Sequence, residues 1–169
     1  MRGKTLKRSL LAPLLISMTA FGASAEDQPR SAAAAFGAAF CLMKDNPPGA
    51  DLMVLATPSL AAEIGKALAK NDEIQKAHPD EKPPLGDGIP FQSYPDLSPK
   101  CEVGKVEGEG AGAVVEIRHG FPEAPSADYS DRIVLGHGWT RGTLGIDDVL
   151  YGEKGGGGTL RRTLAEAFE

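Results

Sequence analysis

The sequence predicts a single α+β domain: helices first, then an antiparallel sheet of about four strands, then a short C-terminal helix. Three observations carry this. Apolar residues recur with helical spacing as far as Ala77. From Cys101 the period becomes two, in two successive hairpins. Between them, residues 78–100 hold six prolines in 23 residues, which suits neither a helix nor a sheet strand.

The N-terminus sets the compartment. Residues 1–8 carry Arg2, Lys4, Lys7 and Arg8 and no acid, and residues 9–22 are apolar but short. Small residues at Ala23 and Ala25 follow, so residues 1–25 read as a secretory signal peptide cut between Ala25 and Glu26. The absence of a twin arginine, and of a cysteine just after the apolar run, argues against folded export and against a lipid anchor. Cleavage takes four basic residues and no acid, leaving 14 Lys and Arg against 23 Asp and Glu, a net charge of −9. Residues 26–169 are enough for one domain with a core. That acidic balance argues against nucleic acid, whose phosphates need Lys and Arg. No second apolar run reaches spanning length, so no stable membrane insertion is expected after cleavage, and the mature chain should be soluble in the periplasm or medium.

Residues 26–30 read as a loose tail. Ser31 stands where an N-cap belongs, and Phe36, Phe40 and Met43 then share one face. The Ala and Gly around them suit a helix pressed closely on its neighbours, and Pro47 and Pro48 stop it. Residues 51–55 could form one short turn. Thr57 followed by Pro58 is an N-cap with proline at the first helical position. Leu60, Ile64, Ala67 and Leu68 form the stripe of a helix reaching Ala77 at most. In the Pro-rich crossing 78–100, Ile89, Phe91, Tyr94 and Leu97 are too apolar for a free linker, so this loop should pack over one end of the domain.

The first hairpin spans 101–121 around a Gly-rich turn, with Ala113, Val115, Ile117 and His119 on one face. The second runs 131–139 and 143–151. With Arg141-Gly142 as a two-residue turn, Trp139 faces Leu144, His137 faces Ile146 and Leu135 faces Asp148. The inner face then holds Ile133, Leu135, His137, Trp139, Leu144, Ile146, Asp148 and Leu150, with Asp147 and Val149 on the other. Gly155 to Gly158 form a spacer, and Thr159 caps a last helix with Leu160, Leu164 and Phe168 on one face.

This register raises a chemical question, because a carboxylate buried among apolar residues needs a partner. His137 lies diagonally across the hairpin from Asp148, and His119 on the first hairpin is another candidate. One reading is an acid–base centre of Asp148 with His137 or His119. The other is an internal hydrogen-bonded pair, or an aspartate that caps the following loop. On this register Asp148→Ala should be costly and Asp147→Ala nearly neutral.

Cys41 and Cys101 are the only cysteines. In an exported chain they suggest one disulfide, and two buried free thiols are the other reading. Three histidines without paired spacing argue against a metal site. The glycine runs lack the Lys-Ser/Thr of a phosphate loop, and no Gly-x-Ser-x-Gly elbow is present. No cofactor is implied.

The order of elements, with "IPFQSYPDL" in the crossing, "LGIDDVLY" closing the second hairpin and "TLRRTLAEAF" at the end, resembles a bacterial secreted family of unknown function. Its members have a nuclear transport factor two-like (ketosteroid-isomerase-like) fold. Ile146, Asp148 and Val149 match its pattern, as do Leu160, Arg161 and Leu164, whereas Leu144 stands where that family carries tryptophan. The resemblance covers roughly residues 31–168. It implies an α+β cone, a curved antiparallel sheet wrapped around the N-terminal helices. It carries over no catalytic residue, and the cone hosts isomerases, dehydratases and non-catalytic binders alike.

Three functions are weighed. The first is a periplasmic, non-catalytic binding or protein-interaction module for a small apolar ligand or an envelope protein, which should show an exposed apolar patch, for example on the Pro-rich loop. The second is a small-molecule enzyme of isomerase or dehydratase type, whose pocket of several hundred Å³ should reach Asp148. The third is a purely structural envelope protein.

Overall fold

The computed structural model describes residues 31–45, 52–94 and 97–169. The expected leader 1–25 with its cleavage point at Ala25 and Glu26, the tail to Arg30, and the helix-stopping Pro47 and Pro48 lie outside the described residues.

Helix α1 runs Ala32–Asp45, and Ser31 Oγ accepts the Ala34 N–H at 3.2 Å. Its small residues permit close approach. A Cβ at Gly37 would lie 2.8 Å from Val115 Cγ1 and 3.0 Å from Val103 Cγ2. A short 3₁₀ turn, Leu52–Leu55, precedes helix α2, Pro58–Ala77. Thr57 caps α2, its hydroxyl accepting the Leu60 N–H at 3.2 Å. Both caps follow from local chemistry.

Strands β1 (Lys100–Glu107), β2 (Val114–Gly120), β3 (Tyr129–His137) and β4 (Leu144–Leu150) form one curved antiparallel sheet in the order β1-β2-β3-β4. Helix α1 packs on β1 and β2, while α2 packs on β4 and on the short closing helix α3, Leu160–Glu166. The fold class expected from the sequence is therefore the one observed. Val115, Ile117, Ile133, Leu135, Ile146 and Val149 line the covered face and meet Phe40, Leu60, Ile64 and Leu160. The other face carries Glu116, Arg118 and Arg132, and among the described residues no helix covers it.

The Cys41 and Cys101 Cα atoms are 5.3 Å apart in a disulfide that ties α1 to the first residues of β1. Among the described residues no helix is long and apolar enough to cross a membrane.

The Pro-rich crossing packs down as a strap over one end of the domain. Leu85 and Phe91 are buried, Asn71 Oδ1 accepts the Leu85 N–H at 2.8 Å, and the Tyr151 hydroxyl donates to Pro90 O at 2.6 Å. Leu97 departs from that expectation, standing 74% exposed.

The second hairpin departs from the register read off the sequence. Arg141 and Gly142 do sit in the turn, with Gly142 at φ 84°. But Gly138 N–H donates to Thr143 O, so the connection has four residues and not two. His137 consequently pairs with Leu144 and Leu135 with Ile146. A β-bulge follows, since Val134 pairs with Asp148 and Ile133 with Val149, leaving Asp147 as the extra residue. The bulge reverses the parity of β4, so that Val149 and not Asp148 is fully buried. His137 is exposed, one step beyond the last residues the helices cover, and Trp139 is 67% exposed with its indole N–H on Ala56 O.

Candidate functional site

The polar centre of the inner face lies at the strap end of the sheet. His119 shares the parity of Val115 and Ile117, and Asp131 that of Ile133 and Leu135, so both point into the core. His119 pairs across the strands with Tyr129, and Asp131 with Ile117, which makes His119 and Asp131 diagonal neighbours. Side-chain exposure is 1% for His119 and 2% for Asp131. The imidazole stacks on the Tyr129 ring, with centroids 4.3 Å apart.

His119 Nδ1 lies 3.2 Å from Ser98 Oγ. Ser98 Oγ also lies 3.0 Å from Lys100 O, and its single proton goes to that carbonyl or to Nδ1 according to the imidazole tautomer. Lys44 Nζ, reaching in from α1, donates to Ser98 O and Oγ at 3.0 and 3.3 Å. His119 Nε2 stands 3.5 Å from Asp131 Oδ2, long for a hydrogen bond but within ion-pair range. Asp131 also accepts the Ser93 N–H from the strap at 2.8 Å and the Gly152 N–H at 2.9 Å. Burial pushes the Asp131 carboxyl up, but the nearby His119 imidazole and the hydrogen bonds from Ser93 and Gly152 outweigh it and hold the group below the usual carboxylate range. Burial likewise pushes the Tyr151 hydroxyl up. The carboxylate thus clamps two loops onto the sheet.

The residues expected to form an acid–base centre do not come together. His119 and His137 lie toward opposite ends of the sheet, since the β3 partner of His119 is Tyr129, eight residues before His137 and about 26 Å away along a strand. Asp148 is half-buried and its Oδ1 accepts Val149 N–H at 2.8 Å and Arg161 N–H at 3.1 Å, in the first turn of α3. It caps the first turn of α3 and not the loop that follows β4. Asp147 is not a free surface residue either, for its Oδ1 accepts from Thr57 Oγ1 at 3.0 Å and Arg161 Nη2 at 2.9 Å. We therefore expect Asp147→Ala and Asp148→Ala each to cost about 1 kcal/mol in urea unfolding, the net worth of such hydrogen bonds. His137→Ala should stay within about 0.5 kcal/mol, as exposed sites do. A silent Asp147→Ala would contradict the bulge.

Sequence reading missed Asp131 as the partner of His119. The signal was available, because Asp131 has the parity of Ile133 and Leu135 and differs from them only in lying one step earlier. Ser93 and Ser98, in an irregular loop, carry no such signal.

The second feature is on the uncovered face. A concavity of about 470 Å³ is walled by Lys105, Glu107, Val114, Glu116, Arg118, Ser130 and Arg132. Glu116 Oε2 accepts from the Lys105 backbone N–H and from Arg118 Nε and Nη2, which holds its carboxyl below the usual range. A bulge in β1 between Val103 and Val106 gives that carboxylate its place, over Gly104, where a Cβ would lie 2.0 Å from Oε2. Asp148 is not part of this wall, nor of a polar opening of about 530 Å³ between α2 and residues 79–86. Among the described residues no cluster of three or more His, Cys, Asp or Glu is arranged to hold a metal ion. Comparison with family models, with curated proteins and with solved structures returned no match.

Proposed function

We propose that the chain is an exported, non-catalytic binding module of the bacterial envelope, with the uncovered face of the sheet as its working surface. The observation that carries this is the division between the two faces. Helices and strap fill the inner face with side chains, whereas the outer face is open and concave, of a volume suited to one small molecule. Exposed Leu97 and Tyr94 on the strap add apolar contact area of the kind interaction modules use. The leader-like residues 1–25 and the Cys41–Cys101 bridge support an oxidising compartment such as the periplasm. The curved sheet over N-terminal helices is in keeping with the nuclear transport factor two-like family that the sequence resembles.

A second reading, a small-molecule enzyme of isomerase or dehydratase type, is favoured by one observation. Ser98, His119 and Asp131 form a continuous hydroxyl–imidazole–carboxylate chain, with Asp131 in the place expected of Asp148. Amide chemical-shift mapping with a panel of small acids, amines and neutral compounds separates the two. Binding without turnover, centred on β2 and β3 residues of the outer face, is expected. Shifts centred on His119 and Asp131, together with conversion of the added compound, would replace the first reading by the second.

A further inference from the structure

The outer concavity has an electrostatic imbalance. Its cations are Lys105, Arg118 and Arg132, and its acids Glu107 and Glu116. Glu107 is held by Lys105 Nζ at 2.6 Å, and Glu116 by Arg118 Nη2 at 2.8 Å. Arg132 is left over. Its Cα lies directly opposite that of Glu116, yet the Glu116 carboxylate turns the other way, into the bulge at Gly104 and Lys105. Among the described residues the Arg132 guanidinium makes no hydrogen bond and no ion pair, and it reaches Glu107 only through its field.

The surroundings of Arg132 are apolar on two sides. Leu150 is its cross-strand partner on β4, and Val134 two residues on shares its face and pairs with Val114. Both valines and Leu150 are half-buried. An unpaired guanidinium offers a planar fork of donors that matches a carboxylate bidentately. Next to it, aliphatic side chains offer a strip on which a short hydrocarbon chain loses water. A chain with a formal net charge of −5 thus presents, at this concavity, a surplus cation, with Val114 in the wall and Val134 and Leu150 next to it on β3 and β4.

We propose that this concavity is a binding site for a small aliphatic monocarboxylate, its carboxylate paired with Arg132 and its chain lying on Val114 and Val134. The proposal rests on the binding-module reading and names its ligand class. A volume of about 470 Å³ admits one such molecule and not a folded partner, so the free small molecule is the occupant.

The test is titration of the isotopically labelled full chain with hexanoate, followed by amide chemical shifts, with hexanamide as the uncharged control. Hexanoate should shift amides of residues 114–118 and 130–134, and hexanamide should not. Arg132→Gln should weaken hexanoate at least about tenfold, and Arg132→Lys should restore only part of it, since an ammonium cannot bind bidentately. Because Arg132 is exposed and unpaired, both variants should keep the wild-type urea midpoint, so lost binding is not lost folding. Equal shifts with hexanamide, no response to hexanoate, or undiminished binding by Arg132→Gln would each overturn the site. None of these would touch the binding-module reading, which falls only if an added compound is turned over at His119 and Asp131.

Discussion

Replacing Cys41 and Cys101 together by alanine is expected to lower the free energy of unfolding by about 4 kcal/mol at most, the entropy that closing a loop of this length removes from the unfolded chain. The bridge spans 60 residues of sequence and encloses α2 and the whole strap. It also fixes α1, half of which is Ala and Gly and whose larger side chains in the core are Phe36, Phe40 and Cys41. Urea unfolding of the double variant, and of the wild type with excess reductant, should show the same loss. A loss below about 1 kcal/mol in both would mean that packing of α1 alone holds it in place.

Asp131→Ala is expected to cost about 3–5 kcal/mol, because it removes one partner of a buried charged group and leaves the other donors stranded. Three donors lose their acceptor at once: His119 Nε2, Ser93 N–H and Gly152 N–H. The strap and the loop after β4 would both be released from the sheet. Amide exchange of Ser93 and Gly152 should therefore rise more than that of Ile133, whose own ladder is untouched.

The same carboxylate sets a pH dependence. Its native pKa is lowered, so the stability it contributes is fully present above the ordinary aspartate value of about 3.9 and is lost as pH falls through the native value. Asp131→Asn has no such titration. The difference in unfolding free energy between wild type and Asp131→Asn should be constant from neutral pH down to about pH 4 and shrink below it. A difference that instead grew on acidification would show that the pKa is raised, with burial stronger than the hydrogen bonds.

Much of the fold was legible because it is written in short range. A Ser or Thr cap bonds an amide three residues on, so Ser31, Thr57 and Thr159 mark their helices regardless of what lies elsewhere. Alternation in the first hairpin is equally local, and it placed Ala113, Val115, Ile117 and His119 on the buried face as observed. The same alternation, carried one step back from Ile133, would have found Asp131.

Tertiary structure decided the second hairpin and therefore the site. The bulge at Asp147 depends on partners about 90 residues earlier and in the last helix: Thr57 binds its carboxylate, while Arg161 binds both that carboxylate and the Asp147 carbonyl. The edge of β4 is held by Thr57 N–H on Ile146 O, another contact from the helical half. None of these appears in the alternation of residues 143–151, which fits a regular strand as well as a bulged one. By itself the sequence determined which segments become helix and strand, where the capped helices begin, and which face of β2 is buried. The register beyond the turn, the parity of Asp148 and the pairing of His119 with Asp131 were set by the packing of distant elements. One extra residue in a strand changes no local preference, yet it turns every later side chain to the opposite face.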